Sequence, residues 1–123
     1  MLSKFAPGQV WKYQNRDSES DSRIIVVRVD DDPEYGNIVH VFVNNLQLAN
    51  SAAPDRVIRF INHMPFVEDA LEKSVLELES EVESLPDYED GYQLWRTAFE
   101  QSDAGVFDVS VVEGIEMLQE TLQ

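Results

Sequence analysis

Four acidic residues and one leucine recur at steps of three and four along residues 68–83 of this sequence. On a helical wheel of about 100° per residue the acids form one flank beside an apolar stripe, and the leucine lies next to them. This acidic flank consists of Glu68, Glu72, Leu76, Glu79 and Glu83. Carboxylates in such a row can steer a cationic partner, and an apolar side chain that is desolvated on contact can add affinity. The same pattern is also typical of a solvated helix face with one scattered leucine.

Two acidic segments resemble calcium-binding loops in part. Such a loop needs alternating oxygen ligands, a glycine at its sixth position and a glutamate at its twelfth. Segment 30–41 carries alternating acids, but Tyr35 and Val41 stand at those two positions. Segment 17–22 alternates acids without any glycine. We therefore expect two exposed turns and no metal site.

Two histidines, His40 and His63, fall in or just after neighbouring candidate strands. Alternation along a strand places His40 with Ile38 and Phe42, where a neutral, hydrogen-bonded imidazole is the usual arrangement. A zinc site would need three or four ligands, and the many carboxylates of this chain do not discriminate for or against one. We expect a structural role for both histidines.

The sequence has no motif for nucleophilic or hydrolytic catalysis. Neither G-x-S-x-G nor H-E-x-x-H occurs, there is no glycine-rich phosphate loop, and the chain has no cysteine. A carboxylate pair for glycoside chemistry would depend on three-dimensional spacing, but a small domain of this kind offers little cleft for a sugar. We therefore predict a protein that is not an enzyme and needs no cofactor.

The elements that must position these residues differ between the two halves of the chain. Residues 9–62 contain four alternating or β-branched runs separated by turn-rich connections, which predict an antiparallel sheet of about four strands. After Pro65 the period changes to steps of three and four. Two or three helices are predicted, over about 67–85, 89–101 and 111–122. Strands followed by helices predict a single α+β domain over residues 1–123.

The first helix has the clearest pattern. Its apolar stripe is Val67, Leu71, Val75, Leu78, Val82 and Leu85. Pro86 would end this helix. The second helix contains Gly91, which lowers helix propensity. The third opens with Ser110 and Glu113, whose spacing matches a capping box.

Five aromatic residues support a different interpretation, a pocket for a small molecule between the sheet and the helices. They are Trp11, Tyr13, Tyr92, Trp95 and Phe99. A domain of this size also needs large aromatic side chains to fill its core. Both interpretations remain open from the sequence.

Several blocks of the sequence resemble a set of small bacterial proteins with no assigned activity. The blocks are PGQVWKY, GNIVHVFV, NHMPF and GYQLWRTAF followed by AGVF, with the patterns G-x-V-W-x-Y, G-x-I-V-H-V and A-G-V-F. They are spread over most of the chain. The resemblance implies a single bacterial domain and transfers no functional residue. Size and acidity are also similar to those of immunity proteins of bacterial toxin systems.

Net charge restricts the partners that the protein can bind. The chain has 24 Asp and Glu against 9 Lys and Arg, a formal net charge of −15 at pH 7. Nearly all of the excess lies in residues 64–123, which hold sixteen acids and two bases. Repulsion on this scale disfavours phosphate backbones and anionic lipid. We therefore expect a basic protein partner, and neither nucleic acid nor a membrane.

The N-terminus lacks the apolar stretch of a signal peptide and no later run is long enough to span a bilayer, so we expect a cytoplasmic protein. The leading hypothesis is a protein-binding module of immunity or antitoxin type that covers a cationic site on its partner. The alternatives are a small-molecule-binding module and a regulatory or assembly protein that acts as a homodimer. The chain is accordingly expected to be a monomer or a homodimer.

Modest salt is expected to raise the melting temperature of the protein at neutral pH. Each like-charge pair four residues apart on the acidic flank costs about 0.2–0.5 kcal/mol. Added salt screens part of that repulsion. Melting curves in about 10 mM and about 150 mM sodium chloride would test this. A flat or falling midpoint would show that the acids lie too far apart to repel one another.

Overall fold

Five antiparallel strands form the main sheet of the computed structural model, which describes residues 3–49 and 57–121. The strands are β1 (Gln9–Tyr13), β2 (Ile24–Asp32), β3 (Gly36–Val43), β4 (Leu48–Ala49), β5 (Val57–Ile58), β6 (Ile61–Val67) and β7 (Val75–Glu81). The helices are α1 (Glu68–Ser74), α2 (Glu89–Glu100) and α3 (Val111–Thr121). The main sheet has the order β6-β3-β2-β1-β7, and β4 pairs with β5. The predicted α+β class is confirmed.

The hairpin of β2 and β3 supplies the centre of the sheet. Its β-branched residues fit a pleated surface, and the pairing ends with Asp32 opposite Gly36. The carboxylate of Asp32 accepts the amides of Glu34 and Tyr35 at 2.9 and 3.0 Å. Gly36 has a φ of +73°, which glycine adopts without strain. The acid at position 32 therefore closes a tight turn.

The two faces of the sheet are covered by different helices. On β3, Val41 points into the main core, whereas His40 points to the other face because side chains alternate along a strand. α1 and α3 pack on the core face, where Leu71 and Ile115 are fully buried. α2 packs on the other face, with the ring of Tyr92 5.1 Å from that of His40. The sheet thus lies between α2 and the pair of α1 and α3.

The predicted helix over 67–85 is wrong beyond Ser74. α1 ends there, and Val75 has extended backbone with φ −77° and ψ 151°. Residues 75–81 then pair with β1 as strand β7. This strand joins the main sheet, which therefore has five strands rather than about four.

Two periods coexist in this segment, and pairing with β1 selects between them. Apolar residues recur at helical steps over 67–85, but leucine and glutamate also alternate over 76–79. Helix propensity is a weak preference, and like-charged residues four apart reduce it further. A strand at this position satisfies the main-chain groups along one edge of β1. The tertiary pairing therefore overrides the local helical pattern.

The last two helices lie close to their predicted positions. α2 spans Glu89–Glu100 and α3 spans Val111–Thr121, while residue 122 lies outside the described residues. The Glu113 amide donates to Ser110 Oγ at 3.1 Å, and the Ser110 hydroxyl donates to the Glu113 carboxylate at 3.1 Å. Ser110 therefore caps α3 as the sequence pattern predicts.

The two edges of the main sheet differ. Beside β6, the Phe107 amide donates to the Pro65 carbonyl at 2.8 Å, and the Val67 amide donates to the Phe107 carbonyl at 3.0 Å. These bonds cover part of the β6 edge. The outer edge of β7 pairs with no strand within residues 3–49 and 57–121. β7 is therefore the open edge of the described sheet.

Replacing Gly91 by alanine is expected to lower stability by about 1 kcal/mol or more, although alanine is the better helix former. A Cβ at Gly91 would lie 2.9 Å from Asn62 Oδ1 and 3.0 Å from His63 Cβ, so α2 would have to shift away from β6. Chemical denaturation would measure the change. Gly105→Ala is the control, because no atom lies within 4 Å of its added Cβ. A Gly91→Ala variant as stable as the wild type would contradict this close packing.

Candidate functional site

β7 forms an acidic and partly apolar edge strand. Its sequence is VLELESE, and every residue from Leu76 to Glu81 is exposed. Leu76 keeps 61% of its surface accessible and Leu78 keeps 43%. An exposed edge strand with unpaired main-chain groups is a template for pairing with another chain. We call residues 75–83 the acidic edge.

Two β-bulges shape the acidic edge. The pairing of β7 with β1 skips Leu76 and Glu79. A bulge leaves its extra residue without a cross-strand partner and increases the local twist. Both residues belong to the acidic flank predicted from the sequence. The structure therefore keeps these two members together, on a strand instead of a helix.

The other members of the predicted flank are more dispersed. Glu68 opens α1, where its carboxylate accepts the side-chain amide of Asn37 at 3.2 Å. Glu72 lies later on α1, 3.7 Å from Lys4 Nζ. Glu83 follows β7 and is exposed. The single helical ridge does not form, because α1 ends before the second half of the segment.

Two basic side chains lie against the acidic edge. Lys12 Nζ is 3.1 Å from the Glu77 carboxylate, and Arg23 Nε is 3.2 Å from both carboxylate oxygens of Glu79. Exposed pairs of this kind contribute at most about 1 kcal/mol each, because solvent screens them and two long side chains must be ordered. These contacts therefore leave the glutamates accessible to a competing cation.

The acidic turn over 17–22 is not wholly exposed, so the expectation for it is wrong at Glu19. This residue is 2% exposed. Its two carboxylate oxygens accept hydrogen bonds from Arg16, both at 2.6 Å, and one also accepts the Gln47 amide at 2.7 Å. A buried charge needs such partners, which the turn sequence alone does not reveal. Within the described residues no three His, Asp or Glu side chains are grouped to hold a metal ion.

A second polar group lies beneath α2, where β2, β3 and β6 are neighbours. His40 is fully buried, with Nε2 3.0 Å from Asp30 Oδ2 and Nδ1 2.8 Å from His63 Nε2. The Tyr92 hydroxyl donates to the same Asp30 oxygen at 3.1 Å, and Arg28 Nε donates to the other at 2.8 Å. We call these five residues the histidine cluster.

Hydrogen-bond roles assign the protons of the histidine cluster. An ionised Asp30 only accepts, so His40 donates from Nε2 and accepts at Nδ1 from His63. Burial lowers the pKa of His40 to about 4, although Asp30 opposes the change. Burial, together with the neighbouring His40, lowers the pKa of His63 to about 3. Both imidazoles are therefore neutral at neutral pH.

For Asp30, neighbouring groups outweigh burial in setting the pKa. Burial by itself would raise the pKa of its carboxyl group, but the hydrogen bond from Arg28, the nearby His40 and the Tyr92 hydroxyl lower it overall. Asp30 is therefore ionised at neutral pH and remains an acceptor for three donors. A carboxylate held in this way orients the imidazole of His40 in one tautomer.

The histidine cluster fastens α2 to the sheet. Tyr92 is the buried residue of α2, and the Trp95 ring lies 5.0 Å from that of His40. A chain of carboxylate and imidazoles could pass a proton, but α2 lies over it, and four surface cavities of 290–480 Å³ among the described residues are lined by other side chains. His40 is thus a buried, hydrogen-bonded imidazole, as its place on the strand predicts, and the cluster connects α2 to the sheet through the Tyr92 hydroxyl.

The five aromatic residues considered for a pocket lie in two groups. Trp11 and Tyr13 pack with the core on one face of the sheet. Tyr92, Trp95 and Phe99 pack along α2 on the other, with the last two rings stacked at 4.6 Å. The sheet separates the two groups, so these residues do not line a common pocket.

Sequence reasoning missed the partners of His40. The hairpin register places Arg28 opposite His40 and Asp30 opposite Ile38, so both could have been found by counting back from the turn. His63 could not have been found in this way. Residues 44–60 separate its strand from β3, and no local rule sets the register of two strands across such a connection. The β-bulges of β7 likewise had no signal in the sequence.

Stability is expected to fall as the pH decreases from about 6.5 to about 5. Unfolded histidines take up protons near their ordinary pKa of 6.5, whereas the folded ones stay neutral, so the unfolded state binds more protons. The slope approaches about 1.4 kcal/mol per pH unit for each histidine. His63→Gln retains an amide donor for His40 and should remove about half of this slope. Urea unfolding across this range would measure it, and equal slopes for both proteins would contradict the assignment.

Comparison with models of protein families, with curated proteins and with solved structures finds no match to this chain. Within the described residues, none of the helices has the length and apolar character that crossing a membrane requires. What the protein does is therefore inferred from the contacts and charges of its described residues.

Proposed function

We propose that the protein is a binding module that engages a basic protein partner through the acidic edge. The observation that carries this proposal is the position of β7, an exposed strand with alternating leucine and glutamate at the open edge of the sheet. Edge strands with free main-chain groups are a common mode of protein recognition. The proposed partner contact is therefore centred on residues 75–83.

Charge supports a basic partner. The net charge of −15 is concentrated in residues 64–123, and no Lys or Arg occurs between Lys73 and Arg96. A surface of one sign raises the rate of encounter with a partner of the opposite sign and rejects one of the same sign. Nucleic acid and anionic membranes are excluded as partners in this proposal for the same reason.

The charged and the apolar residues of the acidic edge have different roles in the proposed binding. Glu77, Glu79 and Glu81 are exposed along β7 and provide long-range attraction. Leu76 and Leu78 lie among them and would lose their accessible surface on contact. Buried apolar side chains near the centre of an interface supply most of its affinity, whereas charges at the rim mainly govern encounter.

In its specific form the proposal is an inhibitor of immunity or antitoxin type that acts in the cytoplasm. A cationic active site on the partner would be attracted by the carboxylates and then covered by the sheet edge. The similarity in size and acidity to bacterial immunity proteins supports this form. It needs neither a cofactor nor catalysis by this chain.

Neutralising the acidic edge is expected to weaken partner binding at least tenfold. The change is Glu77→Gln, Glu79→Gln and Glu81→Gln, and the control of equal charge is Asp103→Asn, Glu116→Gln and Glu120→Gln on exposed positions elsewhere. A partner is captured on the immobilised protein in low salt, released with high salt, purified and titrated against each protein. The control should change affinity less than threefold, and wild-type affinity should fall as salt increases.

Equal losses for the two triple variants would show that total charge, and not the acidic edge, governs binding. Capture of acidic proteins alone, or affinity that does not respond to salt, would also contradict the proposal. The apolar contribution has its own test in Leu76→Ser, which should weaken binding without changing its dependence on salt.

A further inference from the structure

The main-chain amides and carbonyls of β7 point alternately toward β1 and away from it. At one end the Gln14 amide donates to the Ser74 carbonyl at 3.0 Å, and at the other the Val82 amide donates to the Gly8 carbonyl at 2.8 Å. These bonds flank the ladder with β1. In an antiparallel ladder, residues alternate between pairs that bond across it and pairs whose groups point away. Val75, which directly follows Ser74, and Glu81, which directly precedes Val82, therefore have main-chain groups that point away from β1.

The register of β7 with β1 identifies the residues whose amide and carbonyl point away from β1. Val75, Leu78 and Glu81 lie opposite alternate residues of β1, since each bulge adds one residue and preserves the alternation. The Val75 amide is already bonded to the Leu71 carbonyl. Leu78 and Glu81 are then the residues of β7 that offer both an amide and a carbonyl to another strand. Their spacing matches residues i and i+2 of a regular partner strand.

A second copy of this chain is a poor occupant of that edge. Antiparallel pairing of two β7 strands would bring glutamates of one copy beside glutamates of the other, since all the charged residues of the strand are acidic. Like charges opposite one another destabilise a sheet, and natural proteins use them to prevent edge-to-edge association. The same charges favour a strand that carries lysine or arginine.

We propose that β7 takes up an extended basic segment of the partner as a sixth strand of the main sheet. This inference rests on the proposed function and adds the mode of binding. Main-chain hydrogen bonds at Leu78 and Glu81 hold the segment. Its lysine or arginine side chains pair with glutamates on the Glu77 face of β7, and an apolar side chain on the opposite face of the segment packs beside Leu78. Strand addition of this kind derives affinity from the main chain and selectivity from alternate side chains.

A capped heptapeptide with alternating lysine and valine is the probe. It should bind the protein in low salt and slow hydrogen exchange of the Leu78 and Glu81 amides at least tenfold, while the β7 amides already bonded to β1 change little. The control is the same peptide with every backbone nitrogen methylated, which keeps the charge and side chains but donates no main-chain hydrogen bond. It should bind at least tenfold more weakly.

A pair of variants tests the same point on the protein. Leu78→Pro and Leu78→Ala both remove the leucine side chain, but only proline removes the outward amide. Leu78→Pro should bind the heptapeptide at least tenfold more weakly than Leu78→Ala. If the proline variant fails to fold, the two peptides on the wild-type protein decide the question.

The outcomes separate the inference from the proposed function. Equal binding of both peptides, without slower exchange at Leu78 and Glu81, would overturn strand addition and leave an acidic contact surface. Slow exchange at these amides without peptide, increasing with protein concentration, would show that a second copy occupies the edge and would also overturn the inference. Failure of the proposed function itself would appear in the partner titration, as equal effects of the two triple variants.

Discussion

The pairing of β1 with β7 is the constraint on which the acidic edge depends. β1 has β2 on one side, and its other side would be left with unpaired main-chain groups unless a further strand covered it. The chain meets this requirement by ending α1 at Ser74, whose hydroxyl donates to the Ala70 carbonyl and accepts the Val111 amide. One serine thus joins the end of α1 to the start of α3 where the chain enters β7.

The far end of the same pairing depends on a glycine. Gly8 has a φ of +97°, and a Cβ there would lie 3.1 Å from the Val82 carbonyl oxygen that follows β7. A larger residue would be strained in this conformation and would crowd the return of the chain. The edge strand is therefore held at both ends, while the side chains of residues 76–81 remain exposed.

The opposite face of the sheet shows how the same residue types serve stability. Asp30 lies in a network in which carboxylate, imidazole, hydroxyl and guanidinium groups satisfy one another, and within the described residues no buried side-chain nitrogen or oxygen lacks a partner. Glu19 is buried with Arg16 in the same manner. A fully satisfied polar network specifies one arrangement of its elements. The glutamates of β7 differ in being exposed, and Glu77 and Glu79 make only solvent-screened pairs with Lys12 and Arg23.

Local sequence determined the elements whose information lies within a few residues. The antiparallel strands before residue 44, the helix over 89–100 and the cap at Ser110 follow from alternation with turn chemistry, periodicity and capping, and these were predicted correctly. The charge imbalance is likewise a property of the sequence alone. Tertiary structure decided the rest: residues 75–81 suit a helix by one period and a strand by another, and only the open side of β1 selects the strand. It also brought His63 to His40 across residues 44–60, because register between distant strands is set by packing of the whole sheet and not by any short stretch of sequence.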